Sequence, residues 1–561
     1  MTWPWTARDR ARSQARLWSR PGWAAAAVLV ALLPGLALWA WATARWGLGA
    51  NSDGLTYLVL ARHWYRAGVY ARLTPAGWKP MTHFPPGYPQ AIAAFMPFTR
   101  GDAAEAARIL AGLTLLAYGA LAARAVFRYT RHVLPTAAVA LWLAVAFPMQ
   151  RVVTQVLSEP LFLVQIGLLA WALDRWQAAP TRRRAVLTGL LAAWAVYTRW
   201  IGLALLVWAA GDMLWAWRRA RPPDWMRQAG AALLAAGLPI AALLAAGAAV
   251  APAATGRPLG WHPPDAAKWS QAATTIAQWV TPLFGLRTPS QAWAWAAVVL
   301  VGTLTIALWA ARGPRAEPVP HPATPDDAAF VWRWGSLLVG YGGLLVLAIT
   351  VADASTPLDW RLLAPMFWAG SVLTVGAAWR TLGRRWPTAL LLAWVGLTLL
   401  RYTWTWDRQL LVRKMHQAGA GLRNETWQTA AIWPVLRDLP SQVVVVTNEL
   451  PETEYYTDRP AWPLPAQPVW RAGRPYVYDP VAGAYIPVAQ DEPTAWGAWV
   501  AKRWQGRCAA IVLVTVALPD DEAAAVQAQL AAHLTLVQQV DGGVLFAPPR
   551  PACPWWEVQR P

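Results

Sequence analysis

Apolar runs of about 20 residues recur along most of the first 400 positions and are separated by short polar segments. A run of this length is what an α-helix needs to cross the hydrocarbon core of a bilayer. The pattern therefore predicts a mainly α, polytopic transmembrane helical bundle of about eleven spans. The predicted spans cover residues 23–46, 103–127, 133–148, 161–173, two short helices within 186–217, 229–250, 292–311, 336–351, 362–378 and 387–404.

Arginine clusters in alternate polar segments predict the orientation of these spans. Cytoplasmic loops carry an excess of Lys and Arg, so the arginine-rich N-terminus, residues 182–184 and a linker at 312–333 are expected inside the cell. The basic segments 127–132, 218–227 and 380–385 are expected inside as well, and the loops at residues 49–89, 149–160, 251–291 and 352–361 and the break at 197–200 are expected outside. We predict a multi-pass protein of the cell membrane.

The pattern changes after residue 404, which is the predicted boundary between a membrane domain (1–404) and a second domain (405–561). Two short runs rich in Val and Ile, at 441–448 and 508–516, are typical of buried strands. Residues 521–533 have a helical composition, and 534–546 predict strands around Asp541-Gly542-Gly543. Strands alternating with helices favour a small α/β domain, which we expect outside the cell. No glycine-rich phosphate loop accompanies them, which argues against a nucleotide site.

Composition supports the membrane assignment. The chain is 57% hydrophobic and 14% charged, whereas soluble domains carry roughly 25% charged residues. The net charge of +20 would suit nucleic acid, but the arginines lie between apolar runs, where membrane topology explains them. We therefore expect membrane lipid, and no nucleic acid, as a partner.

The two cysteines, Cys508 and Cys553, do not have the spacing of a metal site. If this part of the chain lies outside the cytoplasm, a disulfide is possible. A pair of free thiols is equally compatible with the spacing.

Two isolated carboxylates in outer loops are candidates for chemistry. Asp53 follows the first span and has the position of a general base, although the sequence Ser-Asp-Gly also suits a helix cap. Glu159 begins a span and is either a helix cap or a second carboxylate able to hold a cation.

Arginines and a histidine complete the candidate site. Arg199 and Arg361 lie at the outer ends of helices, where a guanidinium can bind a phosphate or simply extend to the interface. Arg361 has a third option, an ion pair with Asp359. His262 is either a metal ligand or an ordinary loop residue. The stiff turn 83–89 (HFPPGYP) is either a substrate wall or a plain turn.

Taken together, these segments resemble the GT-C superfamily of polytopic glycosyltransferases, in the branch of the protein O-mannosyltransferases and the aminoarabinose transferase. The resemblance rests on short motifs that occur in the expected order over residues 23–404. They are NSDGLTYL at 51–58 followed by Ala61-Arg62, HFPPGYP at 83–89, SEPL at 158–161, YTR at 197–199 and DWRLLAP at 359–365.

The resemblance implies the roles of individual residues. Asp53 would be the catalytic base, and Glu159 would assist it by holding a metal or the acceptor. Arg361 and Arg199 would bind the phosphate of a polyprenyl-phosphate sugar, beside further substrate contacts. Those contacts would be made by His83, Tyr88 and Tyr57.

The resemblance also implies the reaction. It would be a hexosyl or pentosyl transfer to a lipid, glycan or protein acceptor. A divalent metal, Mg or Mn rather than Zn, would be bound by His262 and Glu159. Asp53 stands without the paired acid that many members of the superfamily carry.

Two other functions compete with this one. A transporter or lipid flippase would also be polytopic, and so would a non-catalytic membrane assembly protein. A transporter is expected to carry ionisable groups within its spans. Here the acids are predicted almost wholly in loops, which favours the enzyme.

Overall fold

The computed structural model describes residues 21–221, 224–250, 261–279, 288–312, 327–351, 356–381, 393, 411–464, 469–471, 474–479, 484–487, 495–516, 518–553 and 555. The chain forms two compact units. The first comprises Met1–Ala44, Thr82–Ala91 and Ala107–His416, and the second comprises Arg45–Met81, Ile92–Ala106 and Gln417–Pro561. The domain boundary predicted after residue 404 stays a prediction.

The described part of the chain up to residue 381 is mainly helical. Its helices are α1 Pro21–Ala42, α2 Ser52–Ala67, α3 Gly87–Phe95, α4 Ala103–Thr130, α5 Val133–Val145, α6 Phe147–Val153, α7 Glu159–Ala178, α8 Arg182–Thr198, α9 Leu203–Ala220, α10 Trp225–Val250, α11 Ala266–Gln278, α12 Pro289–Arg312, α13 Asp327–Val351 and α14 Trp360–Thr381. A two-stranded hairpin of β1 (Ala71–Thr74) and β2 (Gly77–Pro80) follows α2.

Seven of the described helices are long and apolar enough to cross a membrane. They are α1, α4, α9, α10, α12, α13 and α14, and the pair α5 and α6, bent by 57°, would make an eighth span. The predicted count of about eleven is not confirmed. Helix α7 carries three charged side chains, and α8 has only 17 residues. The span predicted at 387–404 lies outside the described residues.

One predicted interruption agrees with the structure, and the described end of one predicted linker does not; residues 313–326 of that linker lie outside the described residues. Helix α8 ends at Thr198, and a 3₁₀ turn at Trp200–Gly202 precedes α9, as the pattern within 186–217 predicts. The charged segment predicted as the end of a linker at 312–333 is instead helical from Asp327 onwards. The charged side chains of this segment, Asp327 and Arg333, are paired with residues on other helices. Their charge therefore does not indicate a solvent-exposed linker.

The second unit contains the predicted sheet. Its helices after residue 416 are α16 Glu425–Thr429, α17 Ile432–Asp438, α18 Leu450–Thr457, α19 Ala495–Trp504 and α20 Asp520–Ala531, and α15 Leu411–Ala418 lies at the start of this region. The strands are β3 Val444–Thr447, β4 Ala461–Pro463, β5 Val469–Arg471, β6 Arg474–Asp479, β7 Ala484–Pro487, β8 Ala509–Val514, β9 Thr535–Val540 and β10 Gly543–Ala547. Strands β5, β6 and β7 form a separate antiparallel sheet.

The main sheet has five strands in the order β4-β3-β8-β10-β9. Strand β3 is parallel to β4 and β8, whereas β10 is antiparallel to β8 and β9. All six residues of β8 are buried, and they alternate between two apolar clusters on opposite faces of the sheet. A disulfide joins Cys508, at the beginning of β8, to Cys553. The structure thereby decides between the two states that the sequence allowed.

Candidate active site

The first unit brings Glu159 and Arg199 together. Glu159 is the first residue of α7, and Arg199 directly follows the last residue of α8. These consecutive helices pack side by side, so the reversal of the chain between them places the two residues at one end. Oε1 of Glu159 lies 2.6 Å from a guanidinium nitrogen of Arg199, and Glu159 is only 3% exposed.

The Glu159–Arg199 pair changes the interpretation of the segment before α7. Ser158 makes no side-chain cap bond to the helix, and its hydroxyl instead accepts a hydrogen bond of 2.9 Å from Arg199. Pro160 has no N–H to cap, which lowers the need for one. Both Ser158 and Glu159 therefore bind Arg199, an arrangement that the local sequence did not predict.

The proline-rich turn packs against the same helix end. The indole N–H of Trp200 donates a 3.0 Å hydrogen bond to the backbone oxygen of His83. Gly87 lies so close that a Cβ atom there would be 2.6 Å from the carbonyl oxygen of Tyr197. His83 is exposed, whereas Tyr88 is only 3% exposed. The turn is thus held in place by its backbone.

Arg361 lies in the first turn of α14 and binds Asp359. The Asp359 carboxylate accepts hydrogen bonds from Nε (3.1 Å) and from the backbone N–H (3.0 Å) of Arg361. This is the ion pair that the sequence left open. Arg151, on α6, lies 4.4 Å from the centre of the Trp360 ring and also interacts electrostatically with Asp359. Sequence reasoning missed Arg151; its only signal was a cation in a segment predicted outside.

Tyr341 connects the two pairs. Its hydroxyl donates a 2.9 Å hydrogen bond to the backbone oxygen of Leu362, and the phenol interacts electrostatically with Arg199, Glu159 and Asp359. We call the described set Arg151, Arg199, Arg361, Glu159 and Asp359 the arginine cluster. With three cations and two carboxylates, this cluster has a formal surplus of one positive charge. Such a surplus suits an anionic ligand.

Asp53 and Tyr57 lie on α2, in the second unit. Asn51 caps this helix, because its side chain accepts a 2.9 Å hydrogen bond from the N–H of Gly54. The cap role considered for Asp53 therefore belongs to Asn51. Asp53 is half-buried in the first turn, where the helix dipole favours a carboxylate. Tyr57 is 9% exposed.

The described residues do not form the ligand set of a resident divalent metal. No three His, Cys, Asp or Glu side chains among them are grouped so that they could hold an ion. The backbone N–H of His262 donates to the Thr350 oxygen at 2.7 Å, while the carboxylate of Glu159 is neutralised by Arg199. The predicted metal roles of His262 and Glu159 stay predictions.

A second polar cluster lies near the other end of α7, among helices of the first unit. Arg333, on α13, forms ion pairs with Asp174 on α7 and, at 2.9 Å, with Asp212 on α9. Asp174 also pairs with Arg124 (3.3 Å) and Arg128 (3.0 Å) on α4. We call these five residues the helix network.

The helix network corrects the expectation that the acids lie almost wholly in loops. Asp212 and Arg333 are within two of the helices that are apolar enough to span a membrane, and they are 1% and 8% exposed. A buried charge requires a partner of opposite charge. These partners are far apart along the chain, so no local sequence pattern predicts the pairing.

Solved structures share the fold along nearly the whole chain. ArnT from Cupriavidus metallidurans, bound to undecaprenyl phosphate, matches with a TM-score of 0.53 and 15% identity, over 94% of this chain and 98% of that one. The oligosaccharyltransferase of Archaeoglobus fulgidus in the apo form matches with a TM-score of 0.54 and 13% identity, over 92% and 73%. The chain has the GT-C fold. The GT-C resemblance predicted from short motifs is thereby confirmed at the level of the fold.

No protein-family model and no curated protein sequence matches the chain. At 13–15% identity, the GT-C fold is what the likeness establishes. The small sheet in the C-terminal region and the mainly helical remainder agree with the predicted fold class.

Proposed function

We propose that the chain is an integral-membrane glycosyltransferase that moves a sugar from a polyprenyl-phosphate donor to an acceptor on the extracytoplasmic face. The observation that supports it most is the GT-C fold along 94% of the chain, shared with a structure that holds undecaprenyl phosphate. The surplus positive charge of the arginine cluster also supports it, since guanidinium groups bind phosphate through paired hydrogen bonds.

Asp53 is the proposed general base. It takes the proton from a hydroxyl or amine of the acceptor, whose freed electron pair attacks the anomeric carbon of the sugar. The bond between that carbon and the phosphate oxygen breaks, and polyprenyl phosphate leaves with the bonding electrons. Positively charged arginines stabilise the negative charge that develops on this phosphate, and Arg361 and Arg199 are proposed for this role. No step is routed through a metal.

The other residues proposed to contact the substrate differ in burial. His83 is the exposed side chain of its turn and is proposed to contact the sugar, whereas Tyr88 and Tyr57 are buried. We propose Glu159 as a residue that orients Arg199, because the two groups are already paired at 2.6 Å. A hexosyl or a pentosyl donor would fit these roles, and the labelled product identifies the acceptor.

The test is a transfer assay in proteoliposomes with radiolabelled polyprenyl-phosphate sugars and a crude membrane fraction as acceptor. Wild type is compared with Asp53→Asn and with Asp438→Asn, which removes an exposed carboxylate of the same unit. We expect transfer by wild type and Asp438→Asn, and a loss of about 100-fold or more with Asp53→Asn.

Three results would contradict the proposal. Full transfer by a normally folded Asp53→Asn protein would remove Asp53 as the base. Movement of labelled lipid across the vesicle membrane, without any covalent product from any donor, would instead support the flippase function. The absence of both activities would favour the assembly function.

A further inference from the structure

The second unit contains a polar cleft of about 360 Å³ that the proposed transfer reaction does not use. Four arginines from three parts of the chain line it. Arg62 and Arg66 lie on α2, Arg423 lies between α15 and α16, and Arg437 lies on α17. The carboxylates of Asp102 and Asp458 also line the cleft.

The described carboxylates of the cleft do not neutralise its arginines. Asp458 accepts hydrogen bonds from Arg62 at 3.3 Å and from Arg66 at 3.2 Å. Asp102 is engaged at the beginning of α4, where it accepts from the N–H of Ala104 at 2.8 Å. With four cations and two carboxylates, the lining has a formal surplus of two positive charges.

Arg423 is the residue that points most directly to a ligand. It is 9% exposed, and its Nε is buried with no hydrogen-bond partner among the described residues. One of its terminal nitrogens donates to the backbone oxygen of Leu48 at 3.0 Å. A buried N–H of a cation without an acceptor is costly. Because Arg423 lines the cleft, an anionic ligand there would lie beside this incompletely paired cation.

Two of the arginines also lie beside an aromatic ring. The guanidinium carbon of Arg62 lies 4.5 Å from the centre of the Tyr455 ring, and that of Arg423 lies 5.9 Å from it. Stacking restrains these side chains, so less conformational entropy is lost when a ligand binds. Planar guanidinium groups held in this way match the geometry of a phosphate.

We propose that this cleft binds the phosphate group of an anionic membrane lipid. The lipid, rather than a soluble phosphate, is favoured by position, because Gly101, Asp102 and Ala104 of the cleft lie at the beginning of α4. Helix α4 is long and apolar enough to span a membrane, and the end of a span lies at the depth of lipid headgroups. The site does not involve Asp53 and does not depend on the proposed transfer reaction.

The test measures binding of radiolabelled, short-chain phosphatidylglycerol to the purified full-length protein in neutral detergent. The double variant R66Q/R437Q removes the surplus of two positive charges from exposed positions. The variant R182Q/R183Q removes the same charge from exposed positions at the beginning of α8. We expect about tenfold weaker binding, or more, with R66Q/R437Q and unchanged binding with R182Q/R183Q.

A third variant changes binding in the opposite direction. Asp458 has a φ of 54° at the end of α18, a backbone conformation that Asn also tolerates. Asp458→Asn therefore keeps the fold and raises the surplus charge of the cleft, so we expect binding to tighten about two- to fivefold.

Three results would overturn the proposal. Equal losses in R66Q/R437Q and R182Q/R183Q would mean that only the overall charge attracts the lipid. Weaker binding by Asp458→Asn would contradict the charge argument. If inorganic phosphate displaces the probe as effectively as unlabelled phosphatidylglycerol does at the same phosphate concentration, the ligand is a soluble anion. Melting curves of each variant exclude misfolding as the cause.

Discussion

Replacing Arg333 by Met tests whether the helix network holds α4, α7, α9 and α13 together. The substitution keeps a long apolar side chain but removes the cation that Asp174 and Asp212 share. Asp174 retains Arg124 and Arg128 as partners. The substitution therefore leaves Asp212 without a cation, and among its described contacts Asp212 keeps only a hydrogen bond of 2.9 Å from Gln177.

The expected cost follows from the burial of Asp212, which is 1% exposed. Removing one partner of a buried ion pair costs about 3–5 kcal/mol because the other charge remains buried. The hydrogen bond from Gln177 places Arg333→Met near the lower end, at about 3 kcal/mol. For a unit of this size, we expect a decrease of the order of 5 °C in the melting temperature.

The assay is thermal unfolding of the purified protein in detergent at a fixed scan rate, because membrane proteins often unfold irreversibly. The double variant R333M/D212N should recover most of the loss, since it leaves no unpaired carboxylate on α9. Arg124→Gln is the control, because the Arg124 side chain is 38% exposed and Asp174 keeps two other partners. The network does not stabilise the fold as described if Arg333→Met melts at the wild-type temperature. The same holds if adding Asp212→Asn to Arg333→Met does not raise the melting temperature.

Three further predictions concern separate parts of the molecule. Burial raises the pKa of Glu449 from 4.5 to about 7, with a smaller contribution from a neighbouring carboxylate. The stability that this group contributes is therefore present below about pH 4.5 and is lost as the pH rises through about 7. Glu449→Gln should therefore stabilise the protein by about 1–2 kcal/mol at about pH 8, after discounting for solvent screening, and by nothing at low pH; an unchanged pH dependence of melting would contradict this. Gly87→Ala should destabilise the protein by about 1–3 kcal/mol and lower transfer activity, because its Cβ would lie 2.6 Å from a carbonyl oxygen, whereas Gly211→Ala, with nothing within 4 Å, should be neutral or stabilising. Replacing both Cys508 and Cys553 by Ser should cost up to about 4 kcal/mol, since the disulfide closes a loop with a sequence separation of 45, and equal melting under reducing and oxidising conditions would argue against the bond.

The local patterns predicted the elements of the fold well. Long apolar runs gave the membrane helices, and the polar break at 197–200 marks the turn between α8 and α9. The valine-rich runs became β3 and β8, and the Asp-Gly-Gly turn separates β9 from β10. These features depend on side chains within one or two turns of each other, so the sequence displays them directly.

The partners of charged side chains were not predictable in this way. The pairing of Glu159 with Arg199 joins residues on two helices, and the helix network joins four. Arg333 belongs to a charged segment that looks like a linker, because its neutralising carboxylates lie more than 100 residues away. The cap role considered for Asp53 belongs to Asn51, which the sequence analysis did not consider, although both residue types suit that position.

The position of the charged groups also changes the argument between an enzyme and a transporter. Acids confined to loops were expected to favour the enzyme, but Asp212 and Arg333 lie within apolar helices, so this criterion no longer separates the two functions. What the helix network does show is multiple pairing: Arg333 contacts two carboxylates, and Asp174 contacts three arginines. A group that couples transport must change its protonation or its partner during each cycle, and a side chain held by several partners resists both changes. The helix network is therefore better suited to fixing the helices than to moving a substrate, and this leaves the GT-C fold as the feature that favours the transferase.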